Sequence, residues 1–193
     1  MNQPNPSANP PSLREQNVDR TRLAILTSAQ AMFGTRGYAE SGVRDIAAQA
    51  RVNPALISRY YGSKLDLFEA ALAASLDVSM FTSLKRKGFG ERAVEAFFGT
   101  SPDAASVVAM MVFAAGDTQA REVALRLLSR HVVAPLEAWF VGAERAERAA
   151  QLVAVVTGFY TYRLMLPLSP LQGEGSPAMR RWLARTLQEI VDE

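Results

Sequence analysis

Cysteine is absent from the 193 residues, and His131 is the single histidine. The first absence excludes disulfides, thiolate metal sites and a cysteine nucleophile, and suits a reducing compartment. The second leaves no imidazole pair for a zinc site or a multi-histidine catalytic array. Neither sign of charge dominates: 21 Lys+Arg stand against 19 Asp+Glu, a net +2, so the chain is neither a polyacid nor generally polybasic. Long apolar runs are missing too. Ala104 to Ala115 is too short to span a bilayer, and Leu152 to Leu168 is broken by Arg163 and Pro167, where spanning takes about 20 apolar residues. No paired catalytic carboxylates, phosphate loop or metal cluster stands out, so neither an enzyme nor a cofactor is expected.

What is present is 49% hydrophobic residues, enough for one long domain or two small ones sharing a core. The start carries Pro4, Pro6, Pro10 and Pro11 without the basic and apolar regions of a signal peptide. Residues 1–18 are therefore expected to form a disordered tail, and the protein to stay in the cytoplasm. Basic charge is concentrated at the front: residues 1–64 hold 8 Lys+Arg and 4 Asp+Glu, the remainder 13 and 15. A local positive field over a small N-terminal module suits phosphate-backbone binding, although an ordinary solvated face would look the same.

Helical periodicity runs through the chain. Ile25, Leu26, Ala29, Met32 and Phe33 mark a first helix from Asp19, with Gly37 a natural stop. After a Ser41 or Gly42 cap, Val43, Ile46, Ala47 and Ala50 form one face of a second, short helix. Asn53 as N-cap and Pro54 in the first helical slot begin a third, running to about Tyr61. Its Ile57 and Tyr61 face inward, and Ala55, Leu56, Ser58, Arg59 and Tyr60 face out. Gly62 ends it; Ser63 caps a fourth helix carrying Leu65, Phe68 and Leu72, expected to continue to about Val78. Two short helices joined by a tight turn, the second with a polar face, form the pattern of a helix-turn-helix. On spacing alone a generic three-helix cluster remains an alternative.

The rest also reads as helical, over about 91–98, 102–115, 119–141, 144–166 and 176–191. Pro135 should kink or divide its helix. The fold class is thus all-α.

The stretch Arg22 to Leu72 resembles the TetR family of bacterial transcriptional repressors. The resemblance rests on Ala29, Phe33, Gly37 and Tyr38, then on "VRDIAAQARV" and "ISRYYGSKLDLF". It implies a three-helix DNA-binding domain over 19–66 and a larger effector-binding and dimerisation domain over 67–193. By position, Ser41, Gly42 and Val43 match backbone-contacting residues, and Arg44 matches one that in relatives reaches a base. In the recognition helix Pro54, Ala55 and Leu56 match base-facing positions, Ser58 and Arg59 groove-facing ones, and Tyr60 a phosphate contact. Lys64 matches the phosphate-contacting lysine that opens the fourth helix.

Chemistry agrees with this assignment. The forked donors of Arg44 and Arg59 suit guanine O6/N7 or phosphate, and Ala55 and Leu56 can meet a thymine methyl. Lys64 at a helix N-terminus adds its charge to the dipole near a phosphate. Two departures stand out. Arg51 occupies the turn where the family usually has glycine, and should either bear a left-handed conformation at some cost or gain a phosphate contact. Gly42 replaces the usual Ser or Thr and removes a hydroxyl.

Beyond residue 72 the resemblance weakens to layout. Ala146, Ala150, Ala154 and Gly158 form a small-residue ridge, and Trp182, Leu183, Thr186, Leu187 and Ile190 a stripe on the last helix. The family pairs its last two helices with a second copy, which implies a homodimer; packing within one chain is the alternative. An effector is expected among the middle helices, with Phe97, Met110, Met111, Phe113, Trp139 and Tyr160 as candidate lining; Arg163 would favour an anionic group if buried toward a cavity and says nothing if it points out. Most such residues are ordinary core, and His131 is more often a satisfied histidine than a contact. The expected partners are operator duplex DNA, a second copy and a small, largely apolar effector, with no membrane. The alternative is a DNA-binding regulator whose C-terminal domain recruits a protein. The fourth helix is the expected mechanical link between the two halves.

Overall fold

The structure, a computed structural model, describes residues 13–99 and 102–192, and every regular element among them is helical. Helix α1 (Leu13–Glu40) starts six residues earlier than the tail expectation allowed. Leu, Arg, Glu and Gln are good helix formers, and extending an existing helix needs no new nucleus. Asn17 accepts bonds from Arg20 and Thr21 there. The remainder of the expected tail lies outside the described residues. Gly37, at φ 76° and ψ 173°, breaks α1 three residues before its end.

The short helices follow as their caps dictate. Helix α2 (Val43–Ala50) closes on Arg51, whose φ of 56° and ψ of 44° are left-handed, as the missing glycine implied. Arg51 N–H donates to Ala48 and Val52 N–H to Ala47, the paired bonds of a Schellman end. Helix α3 (Ala55–Tyr61) is entered through Asn53, whose Oδ1 accepts from Ala55 N–H at 2.9 Å. Helix α4 (Lys64–Ser75) opens with a reciprocal box: Ser63 Oγ accepts from Asp66 N–H at 3.1 Å and Asp66 Oδ2 from Ser63 N–H at 2.9 Å. It stops short of Val78, because Asp77 accepts the N–H of Ser79 and starts α5 (Ser79–Thr82).

The larger half contains α6 (Phe89–Phe98), α7 (Pro102–Ala114), α8 (Thr118–Leu128), α9 (Ala134–Trp139), α10 (Arg145–Tyr160) and α11 (Pro177–Asp192). The helix expected over 119–141 is divided, but upstream of Pro135: a π-turn over Ser129–Val133 links α8 to α9. The wider turn accommodates a proline that cannot donate to the preceding turn. A second π-turn, Thr161–Met165, extends α10.

Two interiors result. The first gathers Phe33, Ile46, Ile57 and Phe68 with Met110, Ala114, Val123 and Leu127. The Phe33 and Phe68 rings meet edge-on at 5.3 Å. The second joins Phe89, Phe97, Phe159 and Tyr160 to Leu136 and Phe140 and to the α11 residues Leu183, Leu187 and Ile190. The apolar stripe of α11 is thus buried against this chain's own α6, the intramolecular alternative. Approach there is close enough that a Cβ on Gly90 would lie 1.8 Å from the carbonyl of Ala184. Exposed are Ala146, Ala150 and Ala154 of α10, the last two on the wall of a cleft, and Trp182 of α11, 49% exposed.

Candidate nucleic-acid interface and effector cleft

Helices α2 and α3 pack on the same core through Ile46, Ala47 and Ile57 and leave their other faces to solvent. Arg44, Pro54, Ala55, Ser58 and Arg59 are exposed, while Gly42, Val43, Leu56 and Tyr60 are half-buried. Leu56 and Tyr60 also pack on the first core, so each has an inner and an outer side. Ile57 anchors the helix, 1% exposed, and Tyr61 ties it to α1 by donating to the carbonyl of Arg22 at 2.8 Å. Burial raises the Tyr61 pKa, with Arg22 opposing, so the phenol keeps its proton.

Ser41 is the exception. Its side chain is buried, 1% exposed, and its hydroxyl donates to the carbonyl of Gly37 at 2.6 Å. It therefore shapes the end of α1, and only its backbone is placed near the α2 start. Gly42 is the α2 N-cap with no side-chain bond, as its missing hydroxyl requires.

Lys64 is half-buried. Its Nζ lies 4.3 Å from the Tyr38 ring centre and donates to the Ala39 carbonyl at 3.3 Å. Burial lowers the Lys64 pKa, partly offset by Asp117 and Glu40. The ammonium thus bridges the C-terminal end of α1 to the N-terminus of α4. The run Lys85, Arg86 and Lys87 is held elsewhere. Arg86 donates to the Trp139 carbonyl and stacks on that ring at 4.6 Å, and Arg92 donates to the carbonyls of Lys85 and Lys87.

A cleft of about 1030 Å³ opens between the two cores. Its walls come from α1 at Gln30, from the α4–α5 segment, from α7, from the π-turn before α9 and from α10. Of the candidate lining, Met111 and Tyr160 are on these walls. The other five lie elsewhere. Phe97 is enclosed by Phe81, Phe159 and Tyr160, and Met110 by the first core. Phe113 is 40% exposed and packs on Gly37, and Trp139 stacks under Arg86.

Arg163 corrects the anion expectation. It donates to the carbonyl of Leu171 and lies 4.6 Å over the Phe98 ring, which closes the 166–176 loop rather than facing the cleft. His131 lies in the π-turn, outside the lining. Gln30 was missed by sequence reasoning. The available signal was a polar residue four positions after Leu26 and three before Phe33, on the inward stripe of its helix. No helix among the described residues is long and apolar enough to cross a membrane.

Comparison with known proteins follows this division. Residues 25–71 match the family described as bacterial regulatory proteins, tetR family, and residues 87–191 the tetracyclin repressor-like C-terminal domain. The chain is 29% identical over 91 residues to the HTH-type transcriptional regulator TcmR of Streptomyces glaucescens, a match spanning 47% of this chain and 40% of that one. It is 28% identical over 151 residues to the dual regulator CecR of Shigella flexneri, covering 72% of this chain and 66% of that one. A TetR-family regulator from Streptomyces coelicolor superposes with a TM-score of 0.57 at 27% identity, over 91% of this chain and 96% of its own. The multidrug binding protein EbrR in complex with ethidium has the same fold, with a TM-score of 0.63 at 20% identity over 89% and 98%. Helix-turn-helix surface, two-core body and family match converge: the chain is a member of the TetR family of bacterial transcriptional regulators, with a helix-turn-helix DNA-binding domain.

Proposed function

We propose that this regulator is a ligand-released repressor of the bacterial cytoplasm that binds a palindromic operator as a homodimer. Helix α3 enters the major groove with Pro54, Ala55, Leu56, Ser58 and Arg59 toward the bases. Arg44 assists from α2, and Tyr60, Lys64 and the 41–43 backbone meet phosphates. One seven-residue helix reads only a few base pairs, so specificity calls for two copies a helical turn apart. For the dimer face we assign Ala146 of α10 with Trp182 of α11, since Ala150 and Ala154 line the cleft and the remaining α11 stripe is internal.

The observation that carries the effector half is the position of the cleft. It lies between the core of the reading head and that of the C-terminal half, and α4, the expected link, supplies part of its wall. A ligand that favours one spacing of the two halves weakens DNA binding, and DNA weakens the ligand by the same factor. An apolar cleft of this size suits a drug-sized organic molecule.

Selection from a random DNA pool tests the reading. The wild-type chain enriches a palindrome and Arg59→Ala does not. Failure to enrich any palindrome at low salt overturns operator reading, and an operator complex indifferent to every cleft ligand overturns release.

A further inference from the structure

Around Gln30 the hydrogens of the cleft wall are already allocated. Ser75 donates its hydroxyl proton to the Ala71 carbonyl at 2.9 Å, so its oxygen is left to accept. Gln30 Nε2 donates to that oxygen at 2.9 Å and to the Ala71 carbonyl at 3.3 Å. A carbonyl can only accept, which fixes the amide with its nitrogen toward α4. No donor among the described residues meets Gln30 Oε1. Ser106 gives its proton to the Gln30 backbone carbonyl at 3.1 Å, and its oxygen too is left as an acceptor. Asp77, on the same side, is a carboxylate engaged by Ser79.

This wall therefore offers acceptors: Gln30 Oε1, the Ser75 and Ser106 oxygens and the Asp77 carboxylate. Among the described residues no Lys, Arg or His is on the lining, and the polar groups that the α10 wall adds are the hydroxyls of Thr157 and Tyr160. Resting on the effector reading above, we infer that the cleft takes a neutral or cationic apolar molecule whose hydroxyl or N–H donates to Gln30, and rejects anions. A ligand without a donor leaves Gln30 Oε1 without a partner, and an anion sets its charge against these lone pairs and the Asp77 carboxylate.

The same contact gives the ligand direct purchase on the DNA-binding half. Gln30 belongs to α1, its amide grips the last turn of α4, and Ser106 ties α7 to its backbone. A donor arriving at Oε1 meets the point where all three helices are joined.

Calorimetric titration of the full chain at neutral pH with 2-naphthol, 2-methoxynaphthalene and naphthalene-2-sulfonate tests this. These probes share one apolar body and differ in donor, acceptor and charge. In wild type, 2-naphthol binds about fivefold tighter than its methyl ether, the worth of one neutral hydrogen bond, and the sulfonate binds weakest. In Gln30→Leu the naphthol and the ether become equal within about twofold, while the ether keeps its wild-type affinity. Equal binding of naphthol and ether in wild type, or a preference for the sulfonate, overturns the inference and leaves the ligand-released repressor standing. Binding of none of the three overturns the inference together with the cleft as an effector site. Should Gln30→Leu fail to fold, the wild-type ranking decides.

Discussion

Arg148 holds the end of the last helix: its Nε donates to the Ile190 carbonyl at 2.9 Å and its Nη2 to the Val191 carbonyl at 2.7 Å. The guanidinium lies 4.5 Å over the Phe140 ring, and the residue is 2% exposed. The negative end of the α11 dipole and two orphan carbonyls take the place of an acidic partner. Arg148→Met keeps much of the apolar stem and removes the donors, leaving buried carbonyls unsatisfied. It should destabilise the protein by about 3 kcal/mol in urea titration.

The left-handed Arg51 gives a prediction of opposite sign. Its φ of 56° places Cβ against the following backbone, a conformation that glycine adopts without cost. Arg51→Gly should stabilise the protein by about 1 kcal/mol, read as a rise of a few degrees in Tm. A simultaneous fall in operator affinity would show that the guanidinium also meets phosphate.

At low pH the α4 cap should fail. The Asp66 carboxyl is held below the usual aspartate range by its bonds to the Ser63 hydroxyl and N–H. A depressed folded pKa contributes stability that is complete above the unfolded value, about 3.9, and is lost as pH falls through the folded one. Asp77, lowered in the same direction by Ser79, adds to the same window. Asp66→Asn should therefore flatten the acid limb of the stability curve below about pH 4 and leave it parallel to wild type above about pH 6.

On a selected operator, Arg59→Ala and Arg44→Ala should each cost about 1–3 kcal/mol and relax preference at a single base position. Lys64→Ala should behave differently. It should weaken all sequences alike and reduce the slope of log affinity against log salt by about 1. It should also lower Tm, because Nζ bridges α1 to α4.

What could be read from the chain was local. Asn53, Ser63 and Arg51 announce their caps because each acts within three residues of itself, and a cap leaves its signature in the sequence. The stripe of α11 was equally visible, but periodicity says that a face is buried and not against what. Leu183 and Leu187 meet α6, some ninety residues earlier, instead of a second copy. The same limit scattered the candidate cleft lining. Trp139 is a candidate for its size alone, and size does not say that Arg86 stacks on its ring. Arg163 could not be assigned a direction until the loop it closes was known.

The shared first core has a consequence for engineering. Phe33 and Phe68 share one interior with Ile46 and Ile57 of α2 and α3, and the same interior takes in Met110, Ala114, Val123 and Leu127 of α7 and α8. A fragment cut after α4 would lose the α7 and α8 share of this interior, so the reading head is not a portable module. Grafting its operator preference onto a foreign sensor means carrying α7 and α8 along with it.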